Sequence, residues 1–222
     1  MARSPLARVL VLDLDGTLVD TVPDLAAALN RLMESRGLPL FDHPSTAAMV
    51  GDGVVKLVER AFAARGRTPD DTAIADFSGD YAAHAAEGSR LFPGVETTLH
   101  ELVDEGWRLA VCTNKPEGAA RTLLAALRLA PMLAAVGGGD SYPVRKPDPA
   151  HLLATLAAAE GEASRAVMAG DHANDVLAAR GAGLPCIFAA WGYGPLAMAK
   201  GATAIARDIA DMAAIARHLL PT

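Results

Sequence analysis

Two carboxylic acids with useful spacing lie near the start of the chain. Asp13 and Asp15 are two positions apart, directly after an apolar run at residues 8–12. Two carboxylates on one loop can divide the work of phosphoryl transfer, because one can attack phosphorus while the other protonates the leaving oxygen and then activates water. A phosphate monoester is an anion, so this chemistry also requires positive charge at the same place.

Further polar residues that could build such a site, two lysines among them, occur farther along the chain. They are Thr113, Asn114, Lys115, Lys146, Asp171 and Asp175. Crowded carboxylates and a phosphate require a divalent cation, and oxygen ligands that leave room for several waters suit Mg²⁺. A lysine adds a second positive charge, while a hydroxyl and backbone N–H groups can hold the other phosphate oxygens. Alternatives stay open: Lys115 is expected to be solvated, Asp175 could be a surface acid, and Thr113 and Asn114 could serve only to form a turn.

Apolar runs recur along the chain and alternate with amphipathic helical patterns. The runs occupy residues 8–12, 109–112, 134–136, 166–169 and 186–189, of which the third is the weakest. Such continuous runs are typical of strands that are buried on both faces of a parallel sheet. The alternation predicts an α/β fold with a doubly wound parallel sheet, in which ligands bind at the carboxyl ends of the strands. The candidate residues should therefore meet at one edge of the sheet.

A helical insertion interrupts this alternation between residues 23 and 87. Three amphipathic patterns predict helices near residues 25–33, 54–62 and 74–84. We therefore predict two domains: an α/β core formed by residues 1–17 and 88–222, and a small α-helical cap formed by residues 18–87.

Composition argues against several classes of protein. The chain has 222 residues and a formal net charge of -6, which gives no sign of the basic face expected of a nucleic-acid-binding protein. No apolar run is long enough to span a bilayer, and the first residues lack the pattern of a signal peptide. Cys112 and Cys186 lie in predicted strands and are expected to be free core thiols. We predict a cytoplasmic enzyme, monomeric or homodimeric, that acts on a small phosphorylated metabolite and binds neither nucleic acid nor membrane.

Four segments resemble, in order and spacing, the motifs of the haloacid dehalogenase-like hydrolase superfamily. They are residues 13–20 (Asp-Leu-Asp-Gly-Thr-Leu-Val-Asp), 113–115 (Thr-Asn-Lys), 146–147 (Lys-Pro) and 170–175 (Gly-Asp-His-Ala-Asn-Asp). The helical insertion after the first motif resembles the C1-type cap of this superfamily. The resemblance implies a Mg²⁺-dependent phosphatase that works through an aspartyl-phosphate intermediate.

The resemblance also implies a role for each motif residue. Asp13 is expected to be the nucleophile, and Asp15 the general acid and base, with a backbone carbonyl that ligates Mg²⁺. Lys146 is expected to stabilise the phosphoryl group and to orient Asp13, and Asp175 to hold Lys146 or a metal-bound water. The remaining assignments are the phosphate-binding residues Thr113 and Asn114 and the metal ligands Asp13, Asp15 and Asp171.

Asp15 and the cap bear on the choice of substrate. Dehalogenases of the superfamily usually carry a tyrosine at the position of Asp15, so the acid favours phosphatase or phosphomutase chemistry. Residues 50–58 are similar to a cap segment of phosphoglycolate phosphatases, which makes 2-phosphoglycolate the leading substrate. In that segment the backbone amides of Gly51 and Gly53 could approach a small carboxylate, and Lys56 could add charge. The alternative is a glycine-rich helix start beside a solvated lysine.

Two residues depart from the pattern of phosphoglycolate phosphatases. Asp52 replaces the usual asparagine and puts negative charge where a carboxylate substrate would lie, and His172 replaces a common serine. His172 is expected to be a polar residue at a helix start. These departures bear on the substrate and not on the phosphatase chemistry. The alternatives that stay open are a pyrophosphatase, a sugar or nucleotide phosphatase, a β-phosphoglucomutase-like mutase, and, because intact motifs do not guarantee activity, a phosphate-sensing protein without turnover.

Overall fold

The chain is built around a six-stranded sheet, with a two-stranded pair beside it. The computed structural model describes residues 7–221. Its strands are β1 (Val9–Leu12), β2 (Val19–Asp20), β3 (Arg90–Leu91), β4 (Arg108–Cys112), β5 (Leu133–Gly137), β6 (Ala166–Gly170), β7 (Cys186–Ala189) and β8 (Ala204–Ala206). The six-stranded sheet has the order β5-β4-β1-β6-β7-β8 and is parallel throughout. β2 and β3 form the antiparallel pair.

Short helices connect the strands and build the insertion. They are α1 (Val22–Ser35), α2 (His43–Ala47), α3 (Val54–Ala63), α4 (Ala73–Ala83), α5 (Val95–Asp104), α6 (Glu117–Ala126), α7 (Pro149–Ala158), α8 (Ala173–Ala182) and α9 (Ile209–Leu219). Among the residues that the structure describes, no helix has both the length and the apolar character needed to cross a membrane.

Helices cover both faces of the six-stranded sheet. Successive side chains of a strand point to opposite faces. In β1, Leu10 and Leu12 therefore pack in a cluster with α5, α6 and α9, whereas Val9 and Val11 pack with α7 and α8. Because both faces are buried, each strand reads as a continuous apolar run. The predicted α/β fold with a doubly wound parallel sheet is confirmed.

The helices of the insertion bury a hydrophobic cluster of their own. Leu25 and Leu29 of α1, Leu57 and Phe62 of α3, and Phe77 of α4 belong to it. These helices are the three that the sequence predicts. The division of the chain at residues 18 and 87 stays a prediction, which this separate cluster supports.

Hydrogen bonds fasten the two connections between the insertion and the core. The carboxylate of Asp24 accepts from Gly88 N at 2.6 Å and from Ser89 N and Oγ at 2.9 and 2.6 Å. The hydroxyl of Tyr193 donates to Asp20 Oδ1 at 2.8 Å and accepts from Thr21 N at 2.7 Å. The outgoing and returning segments are thus held side by side next to the β2–β3 pair.

β8 and α2 are among the elements that have no counterpart in the prediction. β8 has only three residues and pairs with β7 at the edge of the sheet. α2 has five residues, and Asp42 caps it by accepting a hydrogen bond from Ser45 N at 2.8 Å. Neither element is long enough to carry a hydrophobic period that sequence analysis can detect.

Candidate active site

Asp13 lies at the carboxyl end of β1, in the middle of the sheet. Its backbone N–H donates to Ala169 O at 2.9 Å, which extends the pairing of β1 with β6 by one residue. Its buried carboxylate accepts from Leu14 N at 2.7 Å. Burial raises the pKa of Asp13 to about 6, although the charge of Lys146 opposes that rise. The pairing of the strands therefore fixes the position of the candidate nucleophile.

Lys146 joins two of the acids. Its Nζ lies 2.8 Å from Asp13 Oδ1 and 2.6 Å from Asp175 Oδ1, and its side chain is 1% exposed. Burial by itself lowers the pKa of Lys146, but the charges of the two carboxylates outweigh burial and raise it. The ammonium group is therefore a fixed positive charge beside Asp13. The contact that the resemblance implies between Asp175 and Lys146 is present.

His151, on the first turn of α7, holds the backbone of Lys146. Its Nδ1 accepts from Lys146 N at 3.2 Å, and its Nε2 lies 3.0 Å from Gly138 O. A ring that accepts at Nδ1 carries its proton on Nε2 when neutral, so we assign Nε2–H as the donor to Gly138 O. Burial, followed by the charge of Lys146, lowers the pKa of His151 and favours this neutral state. Sequence reasoning missed His151, and its position five residues after Lys146 is the only signal.

Asp171 follows β6 directly and faces Gly16. Its Oδ1 accepts from Thr17 Oγ1 at 3.0 Å, and its Oδ2 accepts from Tyr193 N at 2.7 Å. Gly16 has a φ of +83°, and a Cβ there would lie 2.4 Å from Asp171 Oδ2. Only glycine suits both this backbone conformation and this space. The glycine of the first motif thus allows Asp171 to approach the loop that follows β1.

Three acids form a group that could hold a metal ion. One carboxylate oxygen from each of Asp13, Asp171 and Asp175 lies within 4.8 Å of the others. Burial raises the pKa of Asp171 to about 7, and the charges of the other two acids add to the rise. This excess of buried negative charge over the single charge of Lys146 fits a divalent cation that prefers oxygen ligands. Asp175 Oδ1 accepts from Lys146 Nζ and its Oδ2 accepts from His172 N, so both oxygens of this third acid are held within the core.

Asp15 pairs with a second lysine. Lys115 Nζ lies 2.9 Å from Asp15 Oδ1 and 3.1 Å from Oδ2, and the Lys115 side chain is only 3% exposed. The expectation of a solvated Lys115 is therefore wrong, because Asp15 and the ring of Tyr81, whose centre is 4.6 Å from Nζ, enclose it. The side chain of Asp15 is outside the group of three acids. A role for Asp15 in metal binding thus rests on its backbone carbonyl, as the resemblance implies.

Thr113 and Asn114 are buried at the carboxyl end of β4. Thr113 Oγ1 accepts from Lys115 N at 3.2 Å, which is a contact within the turn. Asn114 Nδ2 donates to Gly51 O and to Lys146 O, each at 3.0 Å, so this side chain connects the insertion to the Lys146 loop. Asn114 Oδ1 is buried and has no hydrogen-bond partner among the described residues. Both residues shape the loop, and their binding of phosphate stays a prediction.

The loop before α3 contacts the core through Gly51 and Asp52. Gly51 has a φ of +119°, and a Cβ there would lie 2.6 Å from His172 Cδ2. Asp52 accepts from Asn174 Nδ2 at 2.7 Å and forms an ion pair with Arg60. Burial by itself raises the pKa of Asp52, but the contacts with Asn174 and Arg60 outweigh burial and lower it. These contacts also compensate the negative charge of Asp52. His172 caps α8, as the sequence predicts, by accepting from Asn174 N at 3.2 Å.

A cavity of about 210 Å³ separates the strand ends from the insertion. Its polar end is formed by Asp13, Asp15, Thr113, Asn114 and Lys115. Most of the remaining wall is apolar and comes from Leu25, Val50, Val54, Leu57, Ala82, Pro116 and Ala119. The cavity therefore combines a charged floor with a small apolar compartment, which suits a compact ligand with one anionic reacting group.

The predicted binding residues of the insertion divide into two groups. Gly51 and Gly53 line the cavity. Lys56 does not: its Nζ lies 2.7 Å from Glu59 Oε2, and its side chain is 51% exposed. The structure thus places Lys56 on the outer surface of α3, in line with the alternative of a solvated lysine.

Comparisons with known proteins agree with this geometry. The model of the family described as haloacid dehalogenase-like hydrolase matches residues 7–183. The chain belongs to this hydrolase family. The resemblance that the four motifs indicate is confirmed.

Relatives named phosphoglycolate phosphatase match most of the chain. The protein from Caulobacter vibrioides is 44% identical over 185 residues, which cover 82% of this chain and 78% of the relative. The protein from Rhodospirillum rubrum is 42% identical over 214 residues, which cover 92% and 89%. The crystal structure of a predicted phosphoglycolate phosphatase from Haemophilus somnus is 29% identical, covers 94% of this chain and 97% of its own, and superposes with a TM-score of 0.87. The prediction of a phosphoric monoester hydrolase is confirmed.

Proposed function

We propose that the protein is a Mg²⁺-dependent phosphatase that hydrolyses 2-phosphoglycolate through an aspartyl-phosphate on Asp13. The observation that carries the proposal is the presence of Asp13 and Asp15 on one cavity, each beside its own lysine. Lys146 offsets the negative charge that would repel a phosphate ester from Asp13. The names of the relatives support the choice of substrate.

The two acids divide the reaction between them. A carboxylate oxygen of Asp13 attacks phosphorus, the bond from phosphorus to the ester oxygen breaks, and Asp15 gives that oxygen a proton, so that glycolate leaves. Asp15 then takes a proton from a water that attacks the phosphoryl group, which releases inorganic phosphate and restores Asp13. Mg²⁺ held by Asp13, Asp171 and the backbone carbonyl of Asp15 would neutralise the phosphoryl oxygens.

The other predicted residues have supporting roles in this proposal. Thr113 and Asn114 hold phosphate oxygens, and Asp175 keeps Lys146 against Asp13. Gly51 and Gly53 let the backbone of the insertion close over a small substrate. The cytoplasmic location and the monomeric or homodimeric state stay predictions.

Phosphate release from p-nitrophenyl phosphate and from a panel of small phosphorylated metabolites tests the proposal. We expect release that requires Mg²⁺, stops with EDTA, and has its highest kcat/KM with 2-phosphoglycolate. If no compound releases phosphate in a metal-dependent way, the catalytic proposal is wrong. A higher kcat/KM for pyrophosphate, a sugar phosphate or a nucleotide would reassign the substrate, and interconversion of sugar phosphates without net phosphate release would identify a mutase.

A further inference from the structure

Lys115 is the one cationic residue among those that line the cavity in the described part of the chain. The remaining cavity wall beyond the acids is mostly apolar, with Leu25, Val54 and Leu57 among its residues. A second anionic group of a substrate would lose hydration in such a compartment unless a cation faced it. Within the described residues, Lys115 can meet that requirement from the cavity wall.

The position of Asp15 indicates which part of a substrate Lys115 would meet. When phosphorus is at Asp13, the ester oxygen must face Asp15 to receive its proton. Lys115 Nζ is hydrogen-bonded to both carboxylate oxygens of Asp15, at 2.9 and 3.1 Å. The group attached to the ester oxygen therefore lies near the ammonium of Lys115.

Two contacts hold the Lys115 ammonium on this side of the cavity. The ring of Tyr81, from α4 of the insertion, lies 4.6 Å from Nζ and provides a cation–π contact. Burial lowers the pKa of Lys115, but the charge of Asp15 and the contacts with Tyr81 together outweigh burial and raise it, so the group stays protonated. An ammonium has three N–H donors, which allows it to contact Asp15 and a second carboxylate together.

We propose that Lys115 is the specificity-determining residue for substrates that carry a carboxylate next to the phosphorylated carbon. This inference rests on the proposed function and adds the residue that recognises the leaving group. Lys146 cannot take this role, because it lies between Asp13 and Asp175 beside the nucleophile and is not among the residues that line the cavity. Lys56 cannot take it either, because it is on the outer surface and pairs with Glu59.

A matched pair of substrates tests the proposal. In 2-hydroxyethyl phosphate a neutral hydroxymethyl group replaces the carboxylate that 2-phosphoglycolate carries, so the ratio of their kcat/KM values measures carboxylate recognition. We expect Lys115→Met to reduce this ratio at least about tenfold, mainly by weakening the binding of the carboxylate substrate and so raising its KM, because one charge-assisted hydrogen bond is lost. Lys200→Met, at an exposed lysine, is the control and should leave the ratio unchanged.

The outcomes separate this inference from the function on which it rests. If Lys115→Met slows both substrates equally, Lys115 acts only on Asp15 and the inference is overturned. If Lys56→Met reduces the ratio and Lys115→Met does not, the cation is on the insertion surface and the inference is again overturned. Failure of the wild-type protein to release phosphate from p-nitrophenyl phosphate and from every metabolite of the panel would instead contradict the proposed function.

A measurement on the wild-type protein keeps the test independent of how the variants fold. 3-Phosphonopropionate and propylphosphonate are non-hydrolysable compounds that differ in one carboxylate. We expect the first to inhibit the release of p-nitrophenol at least about tenfold more strongly, for the same charge-assisted contact. Equal inhibition by the two compounds would overturn the proposal.

Discussion

The two halves of the cavity differ in how their residues are held. On the core side, Asp13, Lys146 and Asp175 are buried, charged and joined by contacts of 2.6 and 2.8 Å at the carboxyl edge of the sheet. On the side of the insertion, Leu57 and Val54 are apolar, come from α3, and meet the cavity by packing alone. The core side is thus set by electrostatics and strand pairing, whereas the side of the insertion is set by the fit of side-chain volumes.

This difference predicts different responses to substitution. A buried ion pair that loses one partner leaves an uncompensated charge, which costs about 3–5 kcal/mol. A wall of apolar side chains that loses volume instead changes shape and leaves charges unaffected. Substitutions in the network of Asp13, Lys146 and Asp175 should therefore act on kcat, and those in the apolar wall of the insertion should act on KM.

The largest expected effect is that of Asp13→Asn. The amide keeps the shape of the side chain but is no nucleophile, so kcat should fall on the order of 10⁴-fold or more while the fold persists. Phosphate release and a thermal melting curve measure the two parts of this prediction. Asp104→Asn, at an exposed acid of α5, should behave like the wild type. A variant of Asp13 that keeps most of its activity would mean that another residue attacks phosphorus.

A large effect that depends on the leaving group is expected from Asp15→Asn. Without the proton donor, hydrolysis of an aliphatic phosphate should slow by about 10²–10⁴-fold. The first step with p-nitrophenyl phosphate should slow much less, because nitrophenolate leaves without a proton. Burst kinetics with the two substrates separate the first step from the second. An equal loss in the first step for both would remove the role of Asp15 as general acid.

Lys146→Met should reduce both activity and stability. The variant leaves Asp13 and Asp175 buried beside each other with no cation, so we expect unfolding to become easier by about 3–5 kcal/mol. Activity at saturating substrate should fall by about 10²–10³-fold, because the charge beside the phosphoryl group is lost. Urea unfolding and phosphate release measure both quantities, with Lys200→Met as the control. A variant with wild-type stability would contradict the importance of this ion-pair network.

The smallest effect on kcat is expected from two substitutions in the insertion, Leu57→Ala and Leu29→Ala. Both leucines are buried in the cluster of the insertion, and each truncation should cost about 2–5 kcal/mol of stability. Leu57 lines the cavity and Leu29 does not. Leu57→Ala should therefore raise KM several-fold with little change in kcat, while Leu29→Ala should leave KM unchanged at temperatures where both variants are folded. If the KM of Leu57→Ala equals that of Leu29→Ala, the side chain of Leu57 does not contact the substrate.

The sequence alone indicated the architecture and the residues of the core side. Strand residues such as Val9 to Leu12 are recognisable because both faces of the sheet are buried, which makes every position apolar. Three of the four motifs directly follow β1, β4 and β6, where local order along the chain translates into position at one edge of the sheet, and the third motif lies in the loop between β5 and α7. The acids and Lys146 therefore come together as the sequence predicts.

Only the tertiary structure decided the environments of the other lysines and of His151. Lys115 is separated from Asp15 by 100 positions, and nothing local distinguishes it from a solvated lysine. Lys56 is close in sequence to Gly51 and Gly53, but the rotation of α3 puts it on the outside, where it pairs with Glu59. Burial and charge compensation arise from contacts between segments that are distant in the sequence. The type of a residue and its local spacing do not show which distant residues it will contact.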